Sequence, residues 1–107
     1  MKGGADMPLL ATKIKNAFDR KNCNFDVKLK NIIINHVKRG CSGFVINKNN
    51  NACVYITTDC ITCSHSIVYR YAENEHDFKG YTNRWCDDLD TLVNNVNDML
   101  TNPARRL

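Results

Sequence analysis

The chain has 107 residues, 43% of them hydrophobic and 24% charged, and a net charge of +4. That length supports one domain with its own core and excludes two, and no apolar run is long enough for a membrane-spanning helix. The charge is uneven: residues 1–50 hold ten Lys/Arg against three Asp/Glu, net +7, and residues 51–107 hold five against eight, net −3. A basic front and an acidic back of this kind suit association between oppositely charged surfaces.

The first residues carry Lys2 but no apolar stretch, with Asp6 and Pro8 where one would begin, and 1–7 read as a flexible tail. None of the 15 asparagines is followed two residues on by Ser or Thr, so no glycosylation sequon is present. Together these point to the cytoplasm or nucleus, where thiols stay reduced. The abundance of Asn, Lys, Ile and Asp matches AT-rich coding, as in large DNA viruses among other sources.

Over residues 8–21, Leu9, Leu10, Ile14, Ala17 and Phe18 recur at steps of three and four, which predicts an amphipathic helix. A second helix is predicted from about Asp26 to Arg39, ended by Gly40 as a left-handed cap. Its apolar residues Val27, Leu29, Ile32, Ile33, Ile34 and Val37 cover more than half the circumference, the pattern of a central buried helix. The period then shortens. Residues 43–46 and 53–57 read as strands joined by the asparagine-rich turn 47–51, and 66–71 read as a third strand. Residues 72–84 read as a loop. In the last helix Trp85, Leu89, Leu92, Val93, Val96, Met99 and Leu100 form the apolar arc, Asp87 and Asp88 favour its start, and Asn102-Pro103 ends it, leaving 102–107 as a tail. The expected fold is a single α+β domain over 1–107: two N-terminal helices, a three-stranded antiparallel meander, and a C-terminal helix packed on the sheet.

Of the six cysteines, Cys60-x-x-Cys63 followed by His65 has the spacing that offers two thiolates and an imidazole to one Zn²⁺. It is half of a structural site, since four ligands are needed and no second Cys-x-x-Cys pair follows. A redox dithiol at Cys60 and Cys63 fits less well, because that motif opens a helix after a strand and here strands flank it. The segment 73–77 groups oxygen and nitrogen donors without the fixed spacing of a calcium loop. No residues form a catalytic signature.

Lys28, Asn31, Asn35, Lys38 and Arg39 fall on the polar arc of the predicted second helix, where they would face phosphates and base edges. Tyr55, Tyr69 and Tyr71 would add a stacking platform if they shared an exposed sheet face. The leading expectation is a non-enzymatic intracellular module that works through protein contacts, as a homo-oligomer or a small accessory or structural component, plausibly viral. The alternative is a nucleic-acid-binding domain using the second helix, with zinc at Cys60, Cys63 and His65 as a stabilising ion and no other cofactor.

Overall fold

The computed structural model describes residues 10–21, 24–34, 37–59, 67–78 and 82–102. Helix α1 (Leu10–Arg20) is followed by strands β1 (Asp26–Ile34), β2 (Val37–Asn47), β3 (Ala52–Asp59), β4 (Ile67–Ala72) and β5 (Arg84–Cys86), then by helix α2 (Leu89–Thr101). The strands form one sheet in chain order, β1-β2-β3-β4-β5, with every pair antiparallel.

This overturns the expected two-helix, three-strand arrangement. Residues read as the second helix are instead β1 and the start of β2. The physical reason is a period of two: Val27, Leu29 and Asn31 take one face of β1, and Asp26, Lys28 and Lys30 the other. The β-branched run 32–34 favours the same choice. An apolar arc wider than half a helix was the sign that a helical period did not fit. Gly40, expected as a helix cap, lies inside β2 opposite Ile32 and Asp59, next to a bulge at which Arg39 is the extra residue. A fifth strand, Arg84–Cys86, takes Trp85 out of the last helix.

Both helices pack on the same face of the sheet, α1 over β1 and β2, α2 over β2 to β4, and they touch each other. Ile14, Ala17 and Phe18 of α1 and Leu92, Val93, Val96, Met99 and Leu100 of α2 meet Cys41, Val45, Val54, Ile56, Ile67, Tyr69 and Tyr71 from the strands. All of these are buried, and burial of this apolar surface is the main stabilising term. Asn31 on β1 accepts the Ala11 N–H with its Oδ1 at 3.1 Å, tying the first turn of α1 to the sheet.

The start of α2 is set by Asp88, whose carboxylate accepts the Thr91 N–H at 2.7 Å and the Thr91 hydroxyl at 3.0 Å. Its other end lacks a basic residue in the last turn. The β2–β3 turn supplies the donors instead: Asn47 Nδ2 and Asn50 Nδ2 each donate to the Leu100 carbonyl at 3.0 Å. Within the turn Asn47 Oδ1 accepts from Asn49 N, Asn50 Oδ1 accepts from Ala52 N, and Asn51 takes a φ of 60°. No helix among the described residues is long and apolar enough to cross a membrane.

Candidate interaction face

The second face of the sheet carries no helix. The register arranges its side chains in rows that run from strand to strand. One row is Lys28, Phe44, Tyr55 and Arg70. The next, Lys30, Ser42, Thr57, Val68 and Trp85, spans all five strands. On the far side of the first row lie Asp26, Ile46, Cys53 and Ala72.

A strap, residues 73–78, crosses this face from the end of β4 toward β1. Arg70 anchors it. Only 3% exposed, its guanidinium donates through Nη1 to the Tyr71 carbonyl at 3.0 Å and through Nη2 to the Asp77 carbonyl at 2.9 Å, and it lies 4.6 Å from the Tyr55 ring centroid. The Asp77 carboxylate approaches Nη1 at 4.0 Å and also accepts the Glu73 N–H at 2.9 Å. Asn74 Oδ1 accepts the His76 N–H at 2.7 Å. At the far end Glu75 grips Lys28 with both oxygens, at 3.0 and 3.1 Å, which raises the ammonium pKa above its usual value. The Phe78 ring then leans edge-on against Phe44 and Tyr55, with centroids 5.5 and 5.8 Å apart.

Between strap and sheet lies a cleft of about 260 Å³ lined by Lys28, Lys30, Ser42, Gly43, Phe44, Glu75 and Phe78. Phe78 and Trp85 are the large hydrophobics that stand exposed among the described residues, at 65% and 63%. Trp85 faces away from its buried neighbour Cys86 and pairs with Val68. Charge on the face is nearly compensated. Lys28 has Glu75 and Asp26, Arg70 has Asp77, and Lys30 is exposed without an ion pair or hydrogen bond among the described residues.

The residues expected to form a nucleic-acid surface do not share one arc. Lys28 and Asn31, three apart in a strand, project to opposite faces, and Asn31 is engaged with α1. Asn35 and the side chains of Lys38 and Arg39 lie outside the described residues. Tyr69 and Tyr71 are buried under the helices, leaving Tyr55 alone of the three on the open face. The candidate zinc ligands Cys60, Cys63 and His65 also lie outside the described residues. Among the described residues no group of three or more His, Cys, Asp or Glu is placed to hold a metal ion; in 73–77 the Glu75 carboxylate is engaged by Lys28, and the Asp77 carboxylate by Glu73 N and Arg70.

Phe44, Arg70, Phe78 and Trp85 were not singled out from the sequence. Trp85 was hidden by its fit to the period of the last helix, and Phe78 by lying in a stretch read only as loop. The legible signal was Arg70, a lone cation between Tyr69 and Tyr71 in a strand whose other residues are apolar or small. Comparison with protein-family models, with curated proteins and with solved structures finds no match to this chain.

Proposed function

We propose that the chain is a non-enzymatic protein-interaction module that docks its partner on the helix-free face of the sheet, in the cytoplasm or nucleus. The observation that carries this reading is the pair of exposed aromatic side chains, Phe78 and Trp85, standing on one face around a largely charge-compensated centre. Aromatic anchors surrounded by paired charges are the composition of a protein contact. A phosphate-binding surface needs uncompensated cations, and here Lys28 and Arg70 are already engaged. Burial pushes the Cys53 and Cys86 thiols up to about 11, so neither supplies a thiolate nucleophile at neutral pH. Cys53 and Cys86 are free thiols, in keeping with a reducing compartment.

Affinity capture on the immobilised chain tests the proposal. Protein bound by the wild type, including further copies of the chain, is expected to fall at least tenfold with Phe78→Ala plus Trp85→Ala, while circular dichroism stays unchanged. Equal capture by both proteins overturns it. Single-stranded nucleic acid that binds tightly and competes at this face also overturns it.

A further inference from the structure

We infer that the occupant of the open face is a second copy of the chain, each copy seating its Trp85 against Lys30 at the cleft of the other in a two-fold dimer. The inference rests on the protein-contact reading and gives it a partner.

Size argues first. A cleft of about 260 Å³ falls below the roughly 300–1,000 Å³ of small-molecule pockets. It suits a single large side chain. Its walls supply the Phe44 and Phe78 rings, the Ser42 hydroxyl and, at the rim, the unpaired Lys30 ammonium. The complementary group is an aromatic ring with a carboxylate beside it, because the ring packs on the phenyl groups and under the ammonium while the acid meets the remaining positive charge.

The chain itself presents that combination. Trp85 is exposed, and two residues on Asp87 is an exposed carboxylate without a hydrogen bond or ion pair among the described residues, its charge felt by the Cys86 thiol between them. Asp88 next to it is engaged in capping α2 and is not available in the same way. Basic cleft and acidic-aromatic knob thus lie at opposite edges of one sheet.

The register makes the fit reciprocal. Lys30 and Trp85 are the two ends of a single row, Lys30-Ser42-Thr57-Val68-Trp85, with Thr57 in the middle. When two open faces meet about a two-fold axis parallel to the strands at Thr57, β1 of one copy lies over β5 of the other. Lys30 then faces the partner's Trp85 at one end, and the same contact repeats at the other end, about 19 Å away for four strand spacings. Such an interface is isologous and closes at two copies.

Trp85 is the single tryptophan, so its fluorescence reports the contact directly. Sedimentation equilibrium over a dilution series is expected to give twice the 12.2 kDa chain mass at high concentration. A blue shift of Trp85 emission should rise with the same midpoint. Trp85→Ala and, separately, Lys30→Glu should each weaken dimerisation on the order of tenfold or more. Combining Lys30→Glu with Asp87→Lys should recover part of that loss. All three replaced side chains are exposed, and unchanged circular dichroism verifies folding of each variant. A chain that stays monomeric at several hundred micromolar, or a dimer in which Trp85 emission does not move, overturns the inference. If a monomeric chain still captures another protein through Phe78 and Trp85, the partner assignment alone falls. If capture is lost as well, the protein-contact reading falls with it.

Discussion

Cys53 and Cys86 lie on opposite faces of the sheet, and burial pushes both thiols from the ordinary 9.0 up to about 11. Nearby carboxylates act in the same direction, Glu75 and Asp77 on Cys53, Asp88 on Cys86. A group whose folded value is raised binds its proton more tightly in the folded chain. Its contribution is therefore complete below about pH 9 and is lost as pH climbs toward 11. We expect urea midpoints to be insensitive to these thiols up to pH 9 and to fall beyond it, less steeply in Cys53→Ala. At pH 8 iodoacetamide should leave Cys53 and Cys86 unmodified until denaturant is added, as read by peptide mapping. Modification of either in the native protein would show that its burial is wrong. The strand pattern around Cys53 was legible in the sequence. The strap that lays Glu75 and Asp77 near it was not, because its anchoring depends on Arg70, Lys28 and Phe44 from three different strands.

At the scale of elements, the β1–β2 pair turns on Gly43. A Cβ built there would run into the Lys28 carbonyl oxygen and come within 2.7 Å of Leu29 Cα, both backbone atoms that cannot yield cheaply. Gly43→Ala is expected to destabilise the fold by about 2–3 kcal/mol, measured by urea unfolding. A change below 0.5 kcal/mol would mean that β1 does not approach β2 this closely. The same pair shows where local pattern misleads. Alternation at Val27-Lys28-Leu29-Lys30 is strand-like, but Ile32, Ile33, Ile34 and Val37 also satisfy helical spacing, and the strands were settled by pairing with residues 37–46, which no local window contains. The β2–β3 turn and the two outer helices were legible because each carries its own signal: the asparagines, the amphipathic period, and Asp88 before α2.

For the whole molecule, the contact between turn 48–51 and the end of α2 joins the sheet to its helix layer. Asn47 is buried and donates to Leu100 while holding the turn through Asn49. Asn47→Ala removes both bonds and should cost about 1–3 kcal/mol. Amide exchange should speed up in the last turn of α2 as well as in the turn itself. Faster exchange in the turn alone would show that the helix end does not depend on it. Because every strand pairs with the next one along the chain, the sheet closes no loop longer than the segment between consecutive strands. The first and last described elements meet in the helix layer, where α1 touches α2. The entropy lost in bringing distant residues together is thus concentrated there, and the sheet can form through contacts of low order before that closure is made.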